Sequence, residues 1–240
     1  RTLAGTLTIH NELEETIANF KHEEAAITYT SGYATNLTVI STMMGRGDYV
    51  FSDKINHASI VDGCLMSGAE FRRFRHNDME HLEGLLKNAP ADVAKMVIAD
   101  SVFSMDGDVA PLRALALVAR MQQALFYVDD AHGVGVRGPE GRGSVAEAGL
   151  GVSDVPLQLV TLGKALGGYG AVVVGDDALI QHLSETARPY IYTTALPPAQ
   201  AAATRVAIIH ARRDQWRREK LQALIARFRI GAQRQGLELL

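Results

Sequence analysis

Lys164 follows an apolar run, LQLVTL (157–162), and stands among Gly163, Gly167, Gly168 and Gly170 in the stretch TLGKALGGYG (161–170). Glycines let backbone come close to a ligand, and a lysine in a desolvated pocket can lose its proton and attack a carbonyl to form a Schiff base. The alternative for such a lysine is an exposed loop position with no chemistry. A second apolar run, LFYVDD (125–130), ends on Asp129 and Asp130. Two carboxylates at a strand end are costly unless each has a partner. Adjacent strand residues point to opposite faces, so one can face a ligand while the scaffold holds the other. His132 comes two residues further on, placed to offer a donor beside Asp129. Taken singly, Asp129 could be a metal ligand or a strand-end cap, and His132 a turn histidine. Taken together, an imine-forming lysine and a carboxylate beneath a pyridinium nitrogen are the two groups that pyridoxal 5'-phosphate needs to act as an electron sink.

That cofactor also requires a place for its phosphate. Ser31 and Gly32 lie between an apolar run and a helix-period segment, so the amides of Gly32 and Tyr33 could meet an anion at a helix N-terminus. An ordinary serine cap followed by a turn glycine explains the same residues. Thr161, Thr193 and Thr194 are further hydroxyl donors. GVGVRG (133–138) matches the glycine pattern of a dinucleotide-binding turn, but that motif must open directly into a helix. Here Pro139, Gly141 and Gly143 follow, which excludes a nicotinamide-binding reading.

These residues need a scaffold, and the sequence supplies one. Apolar runs at 25–29, 48–52, 69–74, 95–100, 125–130, 157–162 and 171–175 alternate with segments of helical period at 10–21, 32–44, 78–87, 112–123 and 177–186. This alternation predicts an α/β fold with a mostly parallel central sheet and helices on both faces. From Pro198 to Arg234 a helical pattern is interrupted only by Gly231, and the proline pair at 197 and 198 marks its start. Ligands of open parallel sheets lie beyond the carboxyl ends of the strands, which is where SGYATN (31–36), ADSVFSMDGD (99–108), VDDAHGVGVRG (128–138) and TLGKALGGYG fall.

The 240 residues carry no internal repeat or low-complexity linker, and read as one large domain over 1–240. With 47% hydrophobic and 21% charged residues the chain is globular in composition rather than disordered. A net charge of -3 with dispersed basic residues argues against nucleic acid or an anionic membrane as partner, and RRFRH (72–76) and RRDQWRREK (212–220) read as solvated faces. No run approaches the roughly 20 apolar residues of a membrane span. A single cysteine, Cys64, permits neither an intrachain disulfide nor a cysteine-based zinc cluster and suits a reducing, cytoplasmic compartment. The start at Arg1 and the apolar end GLELL (236–240) lead us to expect further structure on both sides of this chain.

With these residues assembled, the chain resembles the α-oxoamine synthase family of pyridoxal-phosphate enzymes. The resemblance is carried, in order, by HNELEE (10–15), NHAS (56–59), RFRHND (73–78), VFSMDGDVAPL (102–112), VDDAHGVGVRGPEGRGS (128–144), TLGKALGGYG (161–170) and RPYIYTTALPPAQ (188–200). It implies the large domain of a fold type I, aspartate-aminotransferase-like transferase, with an N-terminal segment and a small C-terminal domain outside the chain. It implies Lys164 as the lysine that attaches the cofactor, Asp129 beneath the pyridine nitrogen, His132 on the ring oxygen and His57 stacked on the ring. Ser104, Thr161, Gly32 and Tyr33 become cofactor contacts, and Thr193 and Thr194 reach the phosphate of the partner subunit in a homodimer with shared active sites. No metal is implied. The reaction implied is a decarboxylative condensation of L-alanine with a pimeloyl thioester, carried by coenzyme A or by a carrier protein, in biotin synthesis. Glycine-using sister synthases and a non-catalytic subunit are the alternatives. One position departs from the pattern: Asp100 stands where relatives usually carry glutamate, one methylene longer, so a neighbouring polar group could be less well held.

Overall fold

The computed structural model describes residues 5–239; residues 1–4 and Leu240, the last of the GLELL run, lie outside it. Seven strands form one sheet: β1 (Ala25–Tyr29), β2 (Tyr49–Asp53), β3 (Glu70–Phe74), β4 (Lys95–Asp100), β5 (Leu125–Asp129), β6 (Leu157–Thr161) and β7 (Ala171–Gly175). Their order is β1-β7-β6-β5-β4-β2-β3. β7 runs antiparallel to both of its neighbours, and the β2–β3, β2–β4, β4–β5 and β5–β6 pairs are parallel. All seven apolar runs are thus strands, to within one residue at each end. Strands such as KMVIAD are buried along their whole length, as expected for a parallel sheet covered on both faces.

The helices divide between the faces. α2 (Gly32–Met43), α3 (Ala58–Ser67), α7 (Asp177–Thr186) and the short α8 (Arg188–Ile191) cover one side. There Val39, Ile40, Ile60, Cys64, Ile180, Leu183 and Tyr190 pack on Tyr29, Ile98, Tyr127, Leu159 and Val173. On the other side α4 (Met79–Lys87) and α5 (Leu112–Met121) bring Leu82, Leu86, Leu112 and Leu115 onto Phe51, Val97, Phe126 and Val128. Next to them α1 (Thr8–Lys21) and α9 (Pro198–Arg213) bring Leu13, Ile17, Phe20, Ala201 and Ile208 onto Val160, Val172 and Val174.

The helical segment 198–234 is broken, but not at Gly231. α9 ends at Arg213 and α10 (Gln215–Arg234) starts two residues later, with Asp214 between them at φ -88° and ψ 61°. Aspartate competes with the backbone for hydrogen bonds and favours helix ends, and Asp214 accepts from His210, Arg213 and Arg217. Gly231 sits inside α10, where a glycine costs about 1 kcal/mol but does not stop a helix. No helix among the described residues is long and apolar enough to cross a membrane.

Candidate active site

Strands β4, β5 and β6 end side by side, with Asp100 paired in register with Asp129. The turns leaving them, with the N-terminus of α2 and the segment before α3, enclose a cavity of ≈ 170 Å³ lined by Gly32, Tyr33, Asn36, His57, Ser59, Asp100, Ser104, Asp129, Ala131, His132, Thr161 and Lys164. Eight of the ten residues expected at a cofactor site therefore meet in one place. Thr193 and Thr194 do not. They lie in the connection from α8 to α9, with Thr194 exposed, outside this cavity.

Asp129 is the buried floor. Its Oδ1 accepts from the Ala131 amide at 3.0 Å and its Oδ2 from Asn36 Nδ2 at 2.8 Å. Desolvation raises its pKa, opposed by those two bonds and by the positive charge of Lys164. Across the cavity Lys164 Nζ lies 2.8 Å from His132 Nε2. The Lys164 side chain is exposed at the mouth, yet desolvation by the walls lowers its pKa against the pull of Asp129 and Asp100. His132 is also shifted down, by desolvation and by Lys164. Both nitrogens are thereby biased toward their neutral, nucleophilic or hydrogen-bond-accepting forms.

Asp130 takes the scaffold role that alternation along the strand predicts for one of the pair. It is fully buried, and accepts from Ser101 Oγ at 2.7 Å, from the Ser144 amide at 3.1 and 3.2 Å, and from Lys21 Nζ at 3.2 Å. Two of the glycines after it leave room for this carboxylate. A Cβ on Gly133 would lie 2.1 Å from Asp130 Oδ1, and one on Gly143 would lie 1.9 Å from its Oδ2. In GVGVRG itself, Gly133 makes room for this carboxylate, Gly135 for Ala165 and Gly138 for the Gly143 carbonyl, so the motif serves tight packing of the turn.

At the α2 end, Ser31 Oγ accepts from the Ala34 amide at 3.1 Å, an ordinary cap. The amides of Gly32 and Tyr33, the first two of the helix, have no intrahelical acceptor, and both residues line the cavity. A Cβ on Gly32 would lie 2.9 Å from Thr161 Cγ2, so only glycine lets α2 come this close to the end of β6. Thr161 Oγ1 itself donates to the Ala131 carbonyl at 3.1 Å, and the Tyr33 hydroxyl donates to Asp62 on α3.

Sequence reasoning left out Asn36, Ser59 and Asp100, although all three lie in segments that it singled out. Asp100 Oδ2 accepts from the His57 amide at 2.8 Å, and the Asp100 amide donates to Asn56 Oδ1 at 2.9 Å. The shorter aspartate thus does reach a neighbour and holds the backbone of His57. Desolvation and the nearby Asp129 push its pKa up to about 8. Among the described residues no group of three or more His, Cys, Asp or Glu side chains could hold a metal ion.

Another cluster braces the cavity rim. His76 Nδ1 lies 3.0 Å from Asp53 Oδ1 and its Nε2 lies 2.7 Å from Asp108 Oδ2. Asp53 ends β2, four residues before His57, and Asp108 closes the 102–109 hairpin that carries Ser104, so His76 ties together the two segments bearing those residues. RRFRH is thus not wholly a solvated face. Desolvation opposes a charge on His76, but the bonds from both aspartates and their charges outweigh it, and its pKa is raised. A raised folded-state pKa gives stability that is fully present below the unfolded value near 6.5 and is lost as pH rises through the folded value. The thermal stability lost on His76→Gln is therefore expected to be largest at acidic pH and to shrink toward alkaline pH, measured by melting curves across that range.

A profile described as aminotransferase class I and II matches residues 1–240. The chain belongs to this family. It is 60% identical over 239 residues to 8-amino-7-oxononanoate synthase of Xanthomonas oryzae pv. oryzae, covering 99% of this chain and 59% of the relative. The chain thus spans about three-fifths of the length of the curated relatives it matches. Among solved structures, serine palmitoyltransferase of Sphingomonas wittichii superposes with a TM-score of 0.95 at 37% identity, over 99% of this chain and 59% of that one. 8-Amino-7-oxononanoate synthase of Francisella tularensis superposes with a TM-score of 0.88 at 32% identity, over 99% and 68%. The sheet order and helix placement are those of the fold type I large domain that the sequence resemblance implies.

Proposed function

We propose that this chain is the cofactor-binding large domain of an 8-amino-7-oxononanoate synthase, a cytoplasmic pyridoxal-phosphate acyltransferase that condenses L-alanine with a pimeloyl thioester. The observation that carries the reading is the 60% identity to such synthases along nearly the whole chain, against 37–38% to the serine palmitoyltransferases that superpose so well. The donor set supports the cofactor. A buried carboxylate faces an amine of lowered pKa across a cavity whose edge carries two helix N-terminal amides, and pyridoxal phosphate needs each of these for its ring nitrogen, aldehyde and phosphate.

Bound there, pyridoxal phosphate would supply a ring able to delocalise the electrons released at a substrate α-carbon. The protein does the rest. Nζ of Lys164 is the group that would hold the cofactor and then, once freed, take the α-proton of the amino acid as general base. Asp129 would keep a proton on the ring nitrogen, its two oxygens fixed by Asn36 and Ala131. His132, 2.8 Å from Lys164 Nζ, would orient that amine and offer a hydrogen bond to the ring oxygen. His57 and Ser104, exposed at the mouth, would cover the ring face and rim, and Gly32 and Tyr33 would anchor the phosphate. Thr193 and Thr194 lie outside this cavity and are proposed to serve the phosphate of a partner subunit in a homodimer.

The test uses the full-length protein, L-alanine labelled at the carboxyl carbon, and pimeloyl-CoA or a pimeloyl-carrier protein. Labelled carbon dioxide is expected only when alanine and a pimeloyl thioester are both present. Release from glycine alone among amino acids would assign a sister synthase, and no release with either would assign a non-catalytic subunit.

A further inference from the structure

We propose that Ser59 and Asn36 are positioning residues that hold His57 as the Nε2–H tautomer, so that the ring presents a donor and not a base to the cavity.

A buried chain of side chains fixes where each hydrogen lies. An ionised carboxylate only accepts, so the Asn36 group 2.8 Å from Asp129 Oδ2 is its NH2. Its carbonyl, Oδ1, then faces the Tyr127 hydroxyl, which donates to it at 2.8 Å. The same Nδ2 lies 2.9 Å from Ser59 Oγ, and an amide carries two hydrogens, one for each acceptor. Ser59 Oγ therefore accepts from Asn36, and its own hydrogen is free to turn to His57 Nδ1, 2.7 Å away. The Ser59 backbone amide donates to that same Nδ1 at 3.2 Å, and this second bond does not depend on the charge of Asp129. Two donors converge on one nitrogen. Nδ1 must carry the lone pair, and a neutral imidazole then bears its hydrogen on Nε2.

The surroundings fix the geometry as well as the proton. Asn36, Ser59, Tyr127 and Asp129 are all buried, and Asp100 Oδ2 holds the His57 amide at 2.8 Å. Main chain and ring are thus anchored separately, by a carboxylate and by a serine. The chain also joins the ring of His57 to Asp129 through the Ser59 hydroxyl and the Asn36 amide, so the carboxylate that would receive the ring nitrogen and the histidine at the mouth are oriented by one network.

The inference concerns the cavity of the proposed function, but its readout does not require turnover, so either can fail alone. Protein labelled with 15N in histidine, loaded with pyridoxal phosphate, is examined by long-range 15N–1H correlation at pH 8, with His57→Gln to assign the resonances. His57 is expected to show an unprotonated Nδ1 and a protonated Nε2. Ser59→Ala should move the Nδ1 resonance away from the unprotonated extreme as the two tautomers mix, and Ser59→Thr should restore it. A simple packing role for Ser59 would leave that resonance in place. Protonated Nδ1 in the unsubstituted protein would overturn the assignment even if no variant folds, and an unchanged resonance in folded Ser59→Ala would remove the serine hydroxyl from the account.

Discussion

Alanine at position 164 is expected to lower turnover by about 10²–10⁴-fold, the contribution of a positioned general base, with a further loss from the missing covalent attachment. The structure explains why no other amine can substitute. Nζ of Lys164 is the amine that the cavity walls desolvate, and its pKa is lowered although two carboxylates act against the shift. His132, 2.8 Å away, has a lowered pKa of its own and so accepts from the lysine rather than repelling it. Lys164→Arg keeps a positive charge yet has no nucleophilic amine at ordinary pH, and should be as inactive as the alanine variant. Steady-state assays of both variants, with melting curves to establish folding, check this outcome. Activity retained in either would mean that the reacting amine lies elsewhere.

The largest stability effect belongs to Asp130, a residue that touches no substrate. Lys21 and Asp130 form an ion pair whose side chains are 1% and 0% exposed. Removing one partner of such a pair strands a charge in the interior and costs about 3–5 kcal/mol. For a chain of this size that corresponds to a fall in Tm of about 6–20 °C. Asp130→Ala is expected in that range, since it also leaves Ser101 Oγ and the Ser144 amide without their acceptor. Lys21→Met should be costly for the reciprocal reason. The double variant Lys21→Met/Asp130→Ala should lose less than the sum of the single changes, because the two groups interact directly. Additive losses in a double-mutant cycle would show that the pair is not coupled.

Much of this arrangement is legible in the sequence because each level of pattern agrees with the next. All seven short apolar runs between helix-period segments are strands; the interior runs such as KMVIAD and AVVVG are buried along their whole length, whereas EFRRF of β3, at the sheet edge, is largely exposed. Lys164, Asp129 and His132 stand at strand ends, where an open parallel sheet binds its ligands, and they meet in one cavity. Strand alternation predicts that one of Asp129 and Asp130 faces the ligand and the other the scaffold, and the resemblance says which. The break in the last helical segment was not legible, because Asp214 is set by three side chains that gather on it rather than by a turn-prone type. Asn36 and Ser59 were missed for a related reason. Each is polar on the inner face of a helix start, and their partners, Asp129 and His57, lie 93 and two residues away in sequence. Asp100 was discounted for being one methylene short, whereas its register beside Asp129 brings it within reach of the His57 amide. The glycine spacing at 133–138 was set aside as a nucleotide turn from sequence context alone, but that Gly133 and Gly143 make room for the Asp130 carboxylate is visible only in the three-dimensional neighbours.

The central claim, that Lys164 and Asp129 frame a pyridoxal-phosphate site, is tested most directly by borohydride reduction of the cofactor-loaded protein, proteolysis and mass mapping of the labelled peptide. The account predicts a single reduced pyridoxyl adduct on Lys164. An adduct on another lysine, or none after loading, would contradict it.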